Sequence, residues 1–180
     1  MEDHLLAGLR YLVWRRPGVG QMVLLHGFTR RPASWEPVVA GVAAPGLAVA
    51  PFLPGHDSEA PHGGQGSFEE VVDALTAALG ALHPGPWRLA GYSLGARVAL
   101  GLLVRAPDLW ADAVLIGVNP GIEDERSRRT RLDEDARRAG VLRERGIAAF
   151  MEEWERLPLL ATQAGLPVAA TAAQRARRLA

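Results

Sequence analysis

The chain has 180 residues, of which 48% are hydrophobic and 22% charged, as in an ordinary globular domain. Its 20 basic side chains, all of them arginine, balance 20 acidic ones, so the net charge gives no reason to expect a nucleic-acid partner. Cysteine is absent, which excludes disulfides, thiolate nucleophiles and cysteine-ligated zinc.

The chain shows no export or membrane signal. Its first 16 residues, MEDHLLAGLRYLVWRR, place acids where a signal peptide carries positive charge. The apolar stretch 37–53 is interrupted by glycine and proline before it reaches the roughly 18 residues that a membrane span needs. The sequence therefore predicts a cytoplasmic protein without a membrane partner.

The first third of the chain predicts three strands and one short helix. Residues 9–15 and 21–25 form two of the strands, and the second is apolar throughout, which is typical of a parallel-sheet strand covered on both faces. A short helix follows, and we expect Ser34 to cap it. Leu47–Ala50 forms the third strand.

The middle of the chain alternates helices and strands. Apolar residues recur at helical spacing after Ser67, with glutamates in the first turn. The pattern then predicts a strand at Trp87–Gly91, a helix at Leu94–Arg105 and a strand at Ala113–Val118. This alternation predicts an α/β fold with functional sites at the carboxyl ends of the strands.

The chain changes character after Asn119. Residues 121–157 are dense in charge and helical in pattern, no further strand can be recognised, and the last ten residues form another helix-like run. We therefore expect an α/β core at residues 1–119 and a helical cap or lid at residues 120–180.

The segment Gly91-Tyr92-Ser93-Leu94-Gly95 has the G-x-S-x-G pattern of a nucleophile elbow. Such an elbow exposes the serine hydroxyl between a strand and a helix, and the positive end of the helix favours negative charge at that point. A chance G-x-S-x-G is common in loops. The strand before and the helix after favour the catalytic interpretation of Ser93.

An oxyanion hole needs a second backbone donor beside the N–H of Leu94. His26-Gly27-Phe28 follows the second strand and supplies it, so we assign the N–H groups of Phe28 and Leu94 to this hole. For His26 itself we expect a structural role, with its imidazole bonded within the loop.

Three motifs, Leu25-His26-Gly27-Phe28, Pro54-Gly55-His56 and the elbow, together resemble the α/β-hydrolase superfamily. The resemblance implies a mostly parallel sheet with helices on both faces and a helical cap. Further features are similar to the 2-succinyl-6-hydroxy-2,4-cyclohexadiene-1-carboxylate synthase family of menaquinone biosynthesis: Arg97, Asn119-Pro120-Gly121-Ile122, the arginine-rich helix and Phe150…Trp154…Pro158.

This second resemblance implies a lyase that eliminates pyruvate from a polycarboxylate, with the serine of a Ser-Asp-His triad as base. By resemblance, Arg97, Arg128 and Arg131 hold the carboxylates of the small-molecule substrate. Tyr92 and Trp154 form apolar walls, and no metal or organic cofactor is implied.

Each of these arginines also has a structural interpretation. Arg128 and Arg131 share a helix face and could instead form salt bridges in a solvated helix. Arg97 could simply be exposed or paired with an acid. The sequence also departs from the family, which usually has glycine where this chain has Asp57, and an extra carboxylate pointing inward would repel an anionic substrate.

The triad partners should follow Ser93 in the order acid, then histidine, yet the sequence has no histidine after His83. The abrupt end favours a fragment, with a C-terminally incomplete fold, over a natural short form. We therefore expect little or no turnover from these residues alone, and an exposed edge on the last strand that favours self-association.

Two other functions remain open. One is a serine hydrolase in which Ser93 is acylated by an ester or thioester. The other is a non-catalytic binding protein that retained the fold, which fold-level reasoning does not exclude.

Overall fold

The computed structural model describes residues 2–6, 8–18, 20–42, 46–57 and 66–179. The chain divides into two compact units. One comprises residues 1–120 with residues 176–180, and the other comprises Gly121–Arg175.

The first unit contains a six-stranded sheet with the order β1-β2-β4-β3-β5-β6. Its strands are β1 (Glu2–Leu6), β2 (Leu9–Arg15), β3 (Gln21–Leu25), β4 (Leu47–Pro51), β5 (Trp87–Tyr92) and β6 (Trp110–Ile116). Strands β4, β3, β5 and β6 are mutually parallel, whereas β2 pairs antiparallel with both β1 and β4. The predicted α/β fold with a mostly parallel sheet is confirmed.

Three α-helices connect these strands: α1 (Glu36–Gly41), α2 (Phe68–Leu82) and α3 (Leu94–Arg105). Helix α2 begins where the sequence predicts because Ser67 and Glu70 form a reciprocal capping box. The Ser67 hydroxyl accepts the N–H of Glu70 at 3.2 Å, and the Glu70 carboxylate accepts the N–H of Ser67 at 2.6 Å.

The expected capping role of Ser34 is wrong. Ser34 lies inside a short 3-10 helix, Pro32–Trp35, and its hydroxyl donates to the carbonyl of Arg31. Helix α1 follows directly from this turn, and its N-cap residue, Trp35, makes no side-chain cap hydrogen bond. The tight turn that precedes α1 therefore replaces a side-chain cap.

The hydrophobic core lies on both faces of the sheet because successive strand residues point to opposite sides. In β2, Tyr11 and Val13 join a cluster with α2 and α3, whereas Leu12 and Trp14 join a cluster with Val39 of α1. Burial on both faces explains why β3 is a continuous apolar run.

Strand β6 is the last strand of the sheet, and within the described residues it pairs only with β5. It spans Trp110–Ile116, so the predicted boundaries, Ala113–Val118, lie two to three residues too late. An irregularity in register at Trp87/Arg88 accompanies its early start. Its apolar side chains Val114 and Ile116 are 58% and 47% exposed.

The second unit contains the long helix α4 (Glu125–Glu155), a 3-10 segment at Pro158–Gly165 and the first part of helix α5 (Val168–Leu179). Asp124 caps α4 by accepting the N–H of Ser127 at 2.7 Å. Gly146, with φ of 78° and ψ of 177°, breaks α4 into two helical parts. Within the described part of the chain, no helix combines the length and the apolar content needed to cross a membrane.

Candidate active site

Ser93 lies between the end of β5 and the start of α3. Its φ of 53° and ψ of −109° are unusual for any residue other than glycine, and such strain concentrates at functional sites. The backbone N–H of Ser93 donates to the carbonyl of Ile116 at 2.8 Å, which ties the turn to β6. Within the described residues the Ser93 hydroxyl makes no hydrogen bond. The strand–turn–helix context predicted for the elbow is therefore present.

The two glycines of the elbow permit contacts that no side chain would allow. A Cβ atom on Gly91 would lie 2.6 Å from the carbonyl oxygen of Gly95. A Cβ atom on Gly95 would lie only 2.1 Å from the carbonyl oxygen of Leu25 and 2.7 Å from that of His26. The first turn of α3 therefore packs directly against the end of β3.

The amino end of α3 presents, beside Ser93, backbone N–H groups that have no acceptor within the helix. The first hydrogen bond of the helix runs from the N–H of Arg97 to the carbonyl of Ser93, at 3.1 Å. The N–H of Leu94 therefore has no acceptor within the helix, and the positive end of the helix dipole lies at the same place. This environment suits an oxyanion.

His26 connects two loops at this end of the sheet. It is 1% exposed, its Nδ1 is bonded to the carbonyl of Gly27 at 3.0 Å, and its Nε2 accepts the N–H of Leu53 at 3.1 Å. Because Nε2 accepts, the imidazole is neutral with its proton on Nδ1. Burial lowers the pKa of His26 from 6.5 to about 3. The structural role expected for His26 is confirmed.

Phe28 follows this histidine and is 42% exposed. Its ring makes an edge-to-face contact with the ring of His56, with the centroids 5.5 Å apart. The ring of Tyr92 lies against Gly27, where a Cβ atom would come within 2.7 Å of the tyrosine ring. Together with the contact between Gly95 and Leu25, this places the backbones of Phe28 and Leu94 at the same end of the sheet.

Arg97 lies one turn into α3 and is exposed. Within the part of the chain that the structure describes, its side chain forms no ion pair. It lines a cavity of about 680 Å³ between α2 and α3, together with Phe68, Glu69 and Pro120. The competing interpretation was that Arg97 pairs with an acid. No such pair is observed among the described residues, so the Arg97 guanidinium is available to an anionic ligand.

The second unit holds Arg128, Arg131 and Trp154. Arg128 pairs with Glu125 at 2.7 Å, and Arg131 pairs with Asp135 at 2.8 Å. Both arginines therefore form salt bridges within their helix, as the structural interpretation of these residues predicts.

Trp154 contributes to the internal packing of this unit. Its ring stacks on buried Phe150 at an interplanar angle of 14°, and the guanidinium of Arg138 lies 5.8 Å from its centroid. Two arginines, Arg137 and Arg145, both pair with Glu153 at 3.0 and 2.8 Å. The contacts of Arg138 with Trp154 and of Arg137 and Arg145 with Glu153 cross the break at Gly146 and connect the two parts of α4.

The comparisons with known proteins agree with this geometry. The model of a family described as the alpha/beta hydrolase family matches residues 22–180. The chain belongs to the alpha/beta hydrolase family. The strand order and the elbow at the end of β5 are the features through which this family membership is visible in the structure.

Within the family, the chain resembles one synthase. It is 33% identical over 150 residues to the 2-succinyl-6-hydroxy-2,4-cyclohexadiene-1-carboxylate synthase of Salmonella paratyphi A, an alignment that covers 82% of this chain and 58% of the synthase. The chain thus spans little more than half the length of the curated synthases that it matches.

Solved structures of this alpha/beta hydrolase family show the same likeness. MenH from S. aureus is 28% identical with a TM-score of 0.82, and the match covers 94% of this chain and 65% of MenH. An esterase of M. tuberculosis is 26% identical with a TM-score of 0.59, covering 81% of this chain and 48% of the esterase.

Asp57, the departure from the synthase pattern, is accounted for by a contact that sequence reasoning missed. Its side chain is 9% exposed and pairs with the guanidinium of Arg10 at 3.1 Å. Arg10 lies on β2 and also pairs with Asp3 on β1. No sequence signal links residues 47 positions apart, although an acid in place of the usual glycine implies a counter-ion.

Candidate metal ligands are absent from the described residues, where no three or more His, Asp or Glu side chains cluster in a way that could hold a metal ion.

Proposed function

We propose that this chain carries the serine part of a lyase site that eliminates pyruvate from a 2-succinyl-cyclohexene polycarboxylate in menaquinone biosynthesis. The observation that carries the proposal is the position of Arg97. This exposed cation follows one turn after a strained elbow serine, in a chain that resembles 2-succinyl-6-hydroxy-2,4-cyclohexadiene-1-carboxylate synthase.

In this proposal Ser93 acts as the base that removes a proton from the substrate. The N–H groups of Phe28 and Leu94 stabilise the negative charge that develops on oxygen as the proton leaves. Arg97 binds a substrate carboxylate, for which a guanidinium offers paired donors. Tyr92 supplies an apolar wall.

Arg128, Arg131 and Trp154, which are described within the second unit alone, are proposed as substrate-binding residues by resemblance to the synthase. A substrate carboxylate would have to compete with Glu125 and Asp135 for the two arginines. Such competition costs little because both ion pairs are exposed and lie within one helix, where salt bridges contribute little. One face of the Trp154 ring is occupied by Phe150, so the proposal requires the remaining exposed part of the ring.

Turnover is a separate matter from binding. The 180 residues contain no histidine after His83, so the order serine, acid, histidine cannot be completed within them. General-base assistance is worth about a hundred- to ten-thousandfold in rate. We therefore propose that these residues bind the carboxylate substrate but convert it slowly.

A serine hydrolase acting on esters or thioesters is the second candidate, and the likeness to the M. tuberculosis esterase favours it. There Ser93 would be acylated, using the same oxyanion donors. A neutral ester has no carboxylate to pair with Arg97, so the two candidates differ in their dependence on this residue.

The test measures binding of the proposed reaction product, 2-succinyl-6-hydroxy-2,4-cyclohexadiene-1-carboxylate, which keeps carboxylates of the substrate and is not consumed during the titration, by calorimetry. We expect Arg97→Ala to weaken binding by about ten- to a hundredfold, the range for losing a charge-assisted hydrogen bond, and Arg97→Lys to restore part of it. Arg88→Ala is the matched control, because Arg88 is an exposed arginine near the start of β5, does not line the cavity at Arg97, and pairs with Asp112 at 3.3 Å.

The alternatives predict different results. If Arg97→Ala leaves binding unchanged while the chain hydrolyses a neutral ester in a Ser93-dependent way, the hydrolase is correct. If no carboxylate binds and no ester is hydrolysed, a binding function for some other ligand replaces both.

We also propose that β6 mediates self-association with a second copy of this chain. Its outer edge has no partner strand among the described residues, and Val114 and Ile116 beside it are exposed. The formal net charge of zero adds no overall repulsion between copies.

A further inference from the structure

Arg10 holds both ends of the segment 52–57, which follows β4. At the first end, the carbonyl of Arg10 accepts the N–H of Phe52 at 2.9 Å, and the Arg10 guanidinium lies 4.9 Å from the centroid of the Phe52 ring. At the other end, its Nη1 donates to the Asp57 carboxylate at 3.1 Å. A nearly buried carboxylate gains from such a partner, because an ionised group taken out of water needs compensating charge.

The same segment contacts the loop that contains the proposed oxyanion donor. The N–H of Leu53 donates to Nε2 of His26, and the ring of His56 packs edge-to-face against the rings of both His26 and Phe28. The His56 ring is itself fixed, since its Nδ1 is bonded to the carbonyl of Pro54 at 3.0 Å. Phe28 therefore rests on a surface whose position depends on residues 52–57.

We propose that the Arg10–Asp57 ion pair is a positioning device that holds His56 against Phe28, and thereby fixes the Phe28 N–H that faces the developing oxyanion. Arg10 and Asp57 touch no reacting atom in this account and act only through the loop. The inference rests on the proposed function, because it assigns the Phe28 N–H to the oxyanion hole.

The pairing also bears on the electrostatics of the site. A carboxylate at position 57 that pointed inward would repel a polycarboxylate substrate, whereas the Asp57 carboxylate is directed toward Arg10 on β2. Arg10 also pairs with Asp3, so one guanidinium is shared between two carboxylates. The acid that departs from the synthase pattern thus has a role within this chain.

The test uses amide hydrogen exchange and nitrogen–proton NMR spectra of the whole chain. Asp57→Asn keeps the shape of the side chain but removes its charge. We expect it to shift the Phe28 and Leu53 amide resonances. We also expect exchange of the Leu53 amide, which is hydrogen-bonded to His26, to become about tenfold faster because the segment opens more often. Asp73→Asn, which breaks the exposed Arg105–Asp73 pair, is the matched control and should leave both amides unchanged.

A double-mutant cycle separates positioning from a general loss of stability. We expect Arg10→Gln and Asp57→Asn each to accelerate exchange at Leu53 and to shift the Phe28 resonance, and the double variant to exchange no faster than the faster single one. If Asp57→Asn does not fold, Asp57→Gly replaces it in the cycle. Additive effects, or a Phe28 amide that does not respond, would overturn the proposal.

The measurement needs no turnover, so it is independent of the test of function. If the Phe28 amide responds to loss of the ion pair while carboxylate binding does not depend on Arg97, the ion pair positions the loop but the lyase proposal fails. An unresponsive amide together with Arg97-dependent binding would mean the reverse.

Discussion

The pH dependence of stability tests the buried environment of His26. Because burial lowers its pKa to about 3, the folded chain leaves this imidazole neutral at mildly acidic pH, whereas the unfolded chain protonates it below 6.5. The stabilisation is therefore fully present above the unfolded pKa and is lost as the pH falls toward the folded one. Between about pH 7 and about pH 5, these two pKa values correspond to a loss of about 2 kcal/mol in the free energy of unfolding.

The assay is urea unfolding of the wild type and of His26→Gln at both pH values. A glutamine amide can donate to the Gly27 carbonyl and accept from the Leu53 N–H, yet it does not titrate. We expect the pH difference in unfolding free energy to shrink by about 2 kcal/mol in His26→Gln, equivalent to about 5 °C in Tm for a chain of this size. His4→Gln, which changes an exposed histidine on β1, is the matched control.

The comparison isolates His26 although a neighbour titrates too. Burial also lowers the pKa of His56, whose ring lies 5.1 Å from that of His26, so the wild type loses stability from both. The control retains both histidines, and His26→Gln retains only His56. Equal pH dependence in His26→Gln and in the wild type would refute the account of a buried neutral imidazole.

Two further substitutions test the elbow and the sheet edge. Ser93→Gly should raise Tm by about 3 °C, because glycine adopts the φ of 53° with about 1 kcal/mol less strain. Ser93→Ala keeps a Cβ atom and should not raise Tm. A glycine variant less stable than the alanine variant would argue against backbone strain at this position. Val114→Lys should shift the chain toward the monomer in size-exclusion chromatography, because a charge on an exposed edge strand opposes pairing. A wild type that is already monomeric at high concentration would contradict self-association through β6.

Much of the core could be predicted because local and global preferences agree there. The bounds of β2, β3 and α3 match their hydrophobic patterns, and α2 begins at its capping box. The elbow could be predicted because G-x-S-x-G requires a sharp turn after a strand. In each case a few neighbouring residues determine the conformation.

Other features depend on contacts that local patterns do not encode. Strand β1 was not predicted because EDHLL is short and polar, and it forms by pairing in register with β2, from Glu2 opposite Val13 to Leu6 opposite Leu9. The break in α4 at Gly146 follows from a positive φ that a single glycine permits but does not require. The Arg10–Asp57 pair likewise depends on two segments brought together by the sheet.

The central claim is that Ser93 is the base of a lyase site and lacks, within these residues, the triad histidine that would activate it. Chemical rescue tests it most directly: pyruvate release is measured with and without added imidazole, for the wild type and for Ser93→Ala. We predict slow release by the wild type, an increase on adding imidazole, and no increase in Ser93→Ala. Rapid release without imidazole, or equal rescue of Ser93→Ala, would contradict the account.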